Sequence, residues 1–388
     1  MADDKSRRRT CAHYLSRYLK VQENWIYKII SHHRAYVPIV LTRKRENLSL
    51  FPITPLYNLE DVGGLRGYAE ILFFRIFGYF WFFRNACVKE KVSILHVHFG
   101  NQGVKMLGLK KKLGIPMICS FYGADAFARP GKMARQYERL FKEVDRILVL
   151  GPYMRDEIIR QGCDEGKIRI HHIGIELDKI AFVRRSTGKG ATIRFLIVSS
   201  FVEKKGIELA IEALSAFTDR FDFLLDIIGD GPLRGKVLQA IAASGLRDRI
   251  TLHGYQPYEY FINFAYQCDV LIQASRTGSN NDKEGTPMAI VDAMATGMAV
   301  ISTWHSDIPE IVTDGEDGYL AGEDDLGSLK ECIGRILTEP DRIGDLGAHG
   351  RKKVEEQFDA VKQAAKLEGY YAELTLPRGL HEQQTGLF

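Results

Sequence analysis

Glu284 and Asp292 stand eight residues apart in the run EGTPMAIVDAMATG, with Pro287 between them. Eight residues are about two turns of an α-helix, so both carboxylates fall on roughly the same face. Pro287 suits the first position of that helix, because the N–H it lacks has no partner there. The amides that follow point out of the helix N-terminus, where the backbone dipole is positive and a phosphate binds. Gly285 and Ala289 leave room for a ligand to approach the backbone. Two acids beside a phosphate site would be poor for binding phosphate alone. They make sense as acceptors for neutral hydroxyls on either side of a diphosphate. A nucleotide sugar has that layout: sugar hydroxyls, diphosphate, ribose hydroxyls. The competing reading is a helix cap by Glu284 and a solvent-facing Asp292.

Other groups fall where strands end. In SSFVEKKGIELAIEAL (199–214), a strand runs into a basic loop and Gly206 opens a helix. Lys204 and Lys205 are placed to neutralise phosphate oxygens at the strand's carboxyl end; a solvated charge run is the alternative. In IIGDGPLRGKV, Gly229 and Gly231 bracket Asp230, which permits close backbone approach, although a short Gly-x-Gly alone is a weak signal. His96 and His98 lie two apart on a strand and face one side of it. Paired histidines can bind zinc, but no third ligand from Cys or Glu stands nearby, so no metal is expected. His98-Phe99-Gly100 ends that strand, and FYGAD (121–125) ends the next. His98, Tyr122, Gly123 and Asp125 therefore share an edge, where each is either functional or a satisfied histidine or cap.

The elements that must carry these groups alternate. VPIVLTR, VSILHVHFG, IPMICSFYG and RILVLG read as buried strands separated by helical patterns; a second set begins near 192 with IRFLIVSS, DFLLDIIG, RITLHGY, DVLIQAS and MAVIST. Strand–helix–strand repetition argues parallel sheets covered on both faces. The expected architecture is α/β, with two doubly wound Rossmann-like domains facing a cleft. The domains are read as 1–180 and 190–345, joined by a polar linker near 175–191, and a helix at 346–375 packs back towards the first. At 388 residues the chain exceeds one core. Its net charge of +4 is uneven: residues 1–95 hold 16 Lys/Arg against 8 Asp/Glu. A basic first quarter suits a phosphate-bearing or membrane-surface partner. The aromatic region 66–93 is too short to span a bilayer and reads either as a core helix or as an interfacial one, and a helix can be both. Six scattered cysteines without a Cys-x-x-Cys pair, no apolar leader and no eighteen-residue apolar run point to a cytoplasmic protein, peripheral to the membrane at most. Nothing points to nucleic acid.

These residues together resemble the retaining glycosyltransferases of family 4, which have the two-domain GT-B fold, and among them the bacterial colanic-acid and exopolysaccharide type. The resemblance is best over 92–125 and 145–337, and is specific at EGTPMAIVDAMATG, MAVIST and DIPEIVTDGEDGYL; VEKKG, GDGPLR and HHIGIELD match as well. It implies that Glu284 holds donor-sugar hydroxyls, that Asp292 falls where a second Glu contacts ribose, and that Lys205 meets the distal phosphate. Gly285, Thr286 and Pro287 match the backbone that binds sugar and diphosphate, and Asp125 belongs to the acceptor-side loop with Tyr122, Gly123 and Gly100. Asp292 is one methylene shorter than the usual Glu, Ser200 falls where an Arg often joins the lysine, and Tyr122 stands where many members place a histidine. The implied activity is transfer of a hexosyl-type sugar from a nucleotide diphosphate sugar to a glycan or lipid-linked acceptor, with retention and without a metal or other cofactor. Lys205, Glu284, His98 and Asp125 are the expected catalytic residues, and Lys204, Ser200, Gly229 and Asp230 line the donor side. The alternatives are a nucleotide-sugar-binding or partner subunit with little catalysis, and a transferase of a small soluble acceptor.

Overall fold

The computed structural model describes residues 8–127, 132–188, 190–279 and 281–376; Lys189 and Asn280, inside stretches read above, lie outside the described residues. The chain divides into two compact units, one comprising Met1–Gly174 with Ala360–Phe388 and the other Ile175–Asp359.

The first unit runs β1 (Arg9–Tyr18), α1 (Asn24–Ser31), β2 (Tyr36–Arg45), β3 (Leu56–Asn58), α2 (Gly64–Phe77), α3 (Trp81–Lys89), β4 (Val92–His98), α4 (Gly100–Leu113), β5 (Met117–Ser120), α5 (Lys132–Glu143), β6 (Arg146–Val149), α6 (Pro152–Arg160) and β7 (Ile168–Ile170). The second runs β8 (Ile193–Val198), α7 (Ile207–Ser215), β9 (Phe223–Ile228), α8 (Arg234–Ser244), β10 (Ile250–Gly254), α9 (Tyr258–Ala265), β11 (Val270–Ile272), α10 (Met288–Thr296), β12 (Ala299–Thr303), α11 (Ile308–Ile311), β13 (Tyr319–Ala321), α12 (Leu326–Thr338) and α13 (Ile343–Gln357). A last helix, α14 (Ala360–Thr375), returns to the first unit. There Leu367 and Tyr371 pack with Cys11, Ile94 and Ile118.

Both sheets are parallel, in the orders β3-β2-β1-β4-β5-β6-β7 and β10-β9-β8-β11-β12-β13. Strand order reverses between β1 and β4 in one and between β8 and β11 in the other, and loops leaving such a switch point part to opposite sides and open a crevice. The strands are near-continuous apolar runs because both faces are covered: Phe195, Ile197 and Ile301 face one layer of helices, Leu196, Leu271 and Val300 the other.

Three features differ from the sequence reading. The stretch beginning at 175 is packed in the second unit: Ile175, Leu177 and Ile180 join its core. There the buried Arg185 guanidinium donates to the carbonyls of Ala265, Cys268 and Thr296, which satisfies orphan carbonyls at the ends of α9 and α10. The C-terminal helical pattern is two helices, α13 and α14, broken where Phe358 is buried and Asp359 bridges to Ile175. Region 66–93 folds as two helices bent by 93° at Gly78. α3 buries Phe83, Ala86 and Cys87, but α2 buries nothing; Leu72, Ile76 and Phe77 stand 57–66% exposed, so the core reading holds for α3 alone. Among the described residues no single helix is long and apolar enough to cross a membrane, although this bent pair together meets the length and composition. All six cysteines are free and buried.

Candidate functional site

In the second unit the two strands at the switch point deliver the two groups that the sequence singled out. The turn after β8 carries Lys205 and the loop after β11 carries Glu284, and Lys205 Nζ lies 2.6 Å from Glu284 Oε1. Gly206 makes this meeting possible. Its φ is +57°, and a Cβ there would lie 1.9 Å from the Ala274 carbonyl oxygen. Lys204 turns aside to Asp282 at 3.0 Å. Glu284 is buried, and burial alone would raise its carboxyl; the charges of Lys205 and Lys204 outweigh that and hold it below the ordinary glutamate value. Its Oε1 also receives the Ser275 hydroxyl at 3.4 Å, whereas Oε2 takes no bond from the described residues.

The backbone after Glu284 is held from behind. Glu284 N–H donates to His305 Nε2 (3.1 Å), the His305 ring is tied to Glu323 (2.8 Å), and the Ser306 hydroxyl donates to the Glu284 carbonyl (2.8 Å). The amides of Gly285, Thr286, Met288 and Ala289 have no hydrogen-bond partner among the described residues. Pro287 is the residue before the first helical turn rather than within it, with ψ 94°, and α10 starts at Met288. The local result is a buried carboxylate, an ammonium and a set of outward amides at one helix start. An ammonium has three donors, so Lys205 can bond Glu284 and still reach phosphate oxygens.

The remaining donor-side residues separate. Asp292 is buried in α10, and its Oδ1 accepts the Tyr258 hydroxyl at 2.8 Å; the solvent-facing alternative does not hold for it. Ser200 is exposed beyond β8. Gly229 permits close approach, but to its own chain: a Cβ there would lie 1.8 Å from the Ser199 carbonyl oxygen. Asp230 closes its own turn onto the Gly231 amide and pairs with Arg234.

In the first unit Asp125 Oδ2 accepts the Gly100 amide (2.8 Å) and Oδ1 the Tyr122 amide (2.9 Å). Burial raises its carboxyl and these amides oppose the shift. Asp125 thus clamps the loop after β5 to the start of α4. Gly100 is required there, because a Cβ would lie 2.2 Å from the Phe121 ring, and Gly123 turns the loop with φ +137°. Phe99, between β4 and α4, holds φ +73°, a strained conformation for a side-chain-bearing residue.

His98 does not reach the surface. It is fully buried under the helical layer, with Nδ1 2.7 Å from the Tyr122 hydroxyl and Nε2 3.0 Å from His13 Nδ1. Tyr122 is half-buried, as is Asp125, and its ring centroid lies 4.3 Å from that of Trp25. The expectation that the His96–His98 pair has no further ligand nearby is overturned. The parallel register sets His13 beside His96, and His33 and Cys11 close the group. His13, His33, Glu368, Tyr258 and His305 were all missed. His305 lies between the quoted MAVIST and DIPEIVTDGEDGYL segments and follows a strand, which was a usable signal; the others are brought in by pairings distant in sequence.

Comparisons with known proteins fit this arrangement. A family described as Glycosyltransferase Family 4 matches residues 15–179, and one described as Glycosyl transferases group 1 matches 179–353. The amylovoran biosynthesis glycosyltransferase AmsK of Erwinia amylovora is 32% identical over 284 residues, 71% of this chain and 69% of that protein. The putative colanic acid biosynthesis glycosyltransferase WcaL of Escherichia coli is 28% identical over 277 residues, 69% of this chain and 68% of that one. Among solved structures, Anabaena HepE in complex with UDP superposes with a TM-score of 0.75 at 14% identity, covering 95% of this chain and all of that one. The sucrose-phosphate synthase of Thermosynechococcus elongatus gives 0.73 at 18%, covering 95% and 99%. These two likenesses concern the fold, which is GT-B. Both halves of the chain match in order, and a relative is 32% identical over more than two thirds of its length; the protein therefore belongs to glycosyltransferase family 4.

Proposed function

We propose that this glycosyltransferase moves a hexosyl-type sugar from a nucleotide diphosphate sugar to an acceptor hydroxyl, with retention at the anomeric carbon, in the cytoplasmic assembly of a surface polysaccharide. The observation that carries the reading is the Lys205–Glu284 contact of 2.6 Å beside the unpartnered amides at the start of α10. The names of AmsK and WcaL supply the polysaccharide context, and the UDP in HepE supplies the donor class.

In this reading the amides from Gly285 onward and two of the Lys205 protons bind the diphosphate, and Glu284 Oε2 accepts a hydroxyl of the sugar. The bond from the anomeric carbon to the diphosphate oxygen breaks as the acceptor oxygen bonds on the same face. The leaving diphosphate takes the acceptor's proton, so no enzyme nucleophile intervenes. The protein positions the two substrates and meets the charge that grows on the departing group. Asp292, bonded by Tyr258, is the ribose-side acceptor, and no divalent metal takes part; full activity in excess chelator is the expected result.

The acceptor is a lipid-linked glycan. The exposed face of α2 supports this, together with an adjoining groove of about 560 Å³ lined by Arg17, Arg43, Lys44, Tyr68 and Ile71. Cations beside an apolar aromatic face suit the phosphate level of a bilayer. Thermal-shift screening against UDP-glucose, UDP-galactose, GDP-mannose and GDP-fucose tests the donor claim. A ligand at about 100 times its Kd adds roughly 2.7 kcal/mol of stability. No stabilisation by any nucleotide diphosphate sugar or by UDP or GDP would sink the reading.

A further inference from the structure

Four imidazoles are stacked beneath the carboxyl edge of the first sheet, and every one of their ring nitrogens has a partner. His13 Nδ1 meets His98 Nε2 at 3.0 Å, and His13 Nε2 meets His33 Nε2 at 3.0 Å. His33 Nδ1 meets Glu368 Oε1 at 3.2 Å, and His98 Nδ1 meets the Tyr122 hydroxyl at 2.7 Å. His96 is occupied by Tyr371 (2.6 Å) and Ser120 (2.7 Å). The first four contacts form one row, Glu368, His33, His13, His98, Tyr122, with the Cys11 thiol beside it, 3.7 Å from His13 Nε2 and 3.8 Å from the Val37 carbonyl to which it can donate.

We propose that Glu368, His33 and His13 are positioning residues for the acceptor side: they order the protons along this row so that the Tyr122 hydroxyl is committed inward to His98 and its ring is held as a fixed wall beside Trp25. The direction is set at one end. Glu368 Oε1 accepts the backbone amides of Arg34, Ala35 and Tyr36 at 2.8, 2.8 and 3.0 Å, which requires a carboxylate oxygen. It can only accept from His33, so His33 holds a proton on Nδ1; a His33 that holds one proton then leaves Nε2 bare. His13 must then donate from Nε2 and leave Nδ1 bare. His98 donates from Nε2 in turn, and its bare Nδ1 takes the tyrosine proton. With one proton on each of the three imidazoles, a single order satisfies every contact. A bound metal would have to break these contacts, because no ring nitrogen among the four is left over.

The order matters because Tyr122 is where the row meets the surface. Its ring lies 4.3 Å from Trp25 and 5.1 Å from Phe99, at the ends of β4 and β5. A sugar ring that stacks there needs a wall that does not swing. The assignment rests on reading this edge as the acceptor side of the proposed transferase.

The test has two arms. Nitrogen-15 NMR of histidine-labelled whole protein reads the tautomers directly. At neutral pH the expected pattern is Nδ1–H at His33 and Nε2–H at His13 and His98, with the His98 order lost in His13→Phe. A doubly protonated ring in the row, the reverse tautomer at His98, or a His98 order unmoved in His13→Phe overturns the proposal. So does an equivalent of zinc in the purified protein whose removal shifts these resonances. The second arm uses Tyr122→Phe, which keeps the ring and removes only the hydroxyl. Transfer onto octyl glycosides should show an acceptor KM raised roughly three- to tenfold, the loss expected of one hydrogen bond, with donor KM unchanged. An unchanged acceptor KM overturns the proposal. If the tautomers are found as assigned but no transfer is detectable in the native protein, it is the functional reading that fails, not the proton order.

Discussion

Replacing Lys205 by Met separates a binding pair from an ordinary ion pair. At 2.6 Å the gross attraction is roughly 6 kcal/mol for an effective dielectric constant of about 20. Desolvation of two largely buried groups takes back much of it, so the intact pair adds little net stability. Removing one partner is different, because it leaves Glu284 buried and uncompensated, which costs about 3–5 kcal/mol. Lys204 and His305 still act on the carboxylate, so the low end applies, about 3 kcal/mol. For a unit the size of Ile175–Asp359 that is a fall of about 6–12 °C in Tm. The pH dependence follows from the lowered Glu284 value. Stabilisation from a depressed carboxyl is complete above its ordinary value and is lost as pH falls through the folded one. The gap between native protein and Lys205→Met should therefore narrow in acid.

The double variant Lys205→Met, Glu284→Leu removes both charges, and its stability should return to within about 1 kcal/mol of the native protein. Its response to nucleotide diphosphate sugars in scanning calorimetry should nevertheless be absent. Restored stability together with undiminished stabilisation by these ligands would refute the reasoning, because the pair would then be structural only.

Gly206→Ala places a methyl group 1.9 Å from the Ala274 carbonyl oxygen at a left-handed φ; the loss should exceed the roughly 1–2 kcal/mol of the conformation alone, and calorimetric nucleotide binding should fall with it. Tyr258→Phe removes a 2.8 Å hydrogen bond to the buried Asp292 carboxylate, so chemical denaturation should show a loss of about 1.5–3 kcal/mol and the KM for donor should rise. Serine at Leu72, Ile76 and Phe77, all exposed on α2, should leave Tm nearly unchanged (each within about 0.5 kcal/mol). Flotation on phosphatidylglycerol vesicles should be abolished by the same change; equal flotation of native and variant protein would argue against the lipid-surface reading.

Much of the scaffold was legible because its signals are local. VSILHVHFG and IRFLIVSS are apolar runs that stop at a turn, and they became β4 and β8. AMATG stops a helix, and Gly297 holds φ +89° at the end of α10. Lys205 and Glu284 could be assigned to one site because both follow strands in a doubly wound sheet, but their direct contact of 2.6 Å was not anticipated. What stayed hidden depends on pairing across distance. The parallel register of β1 on β4 puts His13 beside His96, 83 residues away, and nothing within a sequence window reports that. Glu368 reaches His33 only because α14 crosses back to the first unit. The break between α13 and α14 was equally invisible, since the helical periodicity runs on through Phe358 and only the bridge from Asp359 to Ile175 interrupts it.

The departures from the family pattern acquire physical content in this geometry. A glutamate at position 292 would extend one methylene further from the same backbone, and the 2.8 Å contact with the Tyr258 hydroxyl leaves no slack for it. Asp292 and Tyr258 therefore read as a matched pair, with the shorter acid completed by a neighbour. At position 200 nothing similar takes over. Serine stands exposed where the pattern has a cation, and Lys204 is already committed to Asp282 at 3.0 Å. Of the two lysines, Lys205 is therefore the one that meets Glu284 directly, while Lys204 acts on it only through its charge. A substitution at Lys205 should therefore weaken donor binding far more than one at Lys204, and a Lys204→Met variant that loses as much as Lys205→Met would argue against this division.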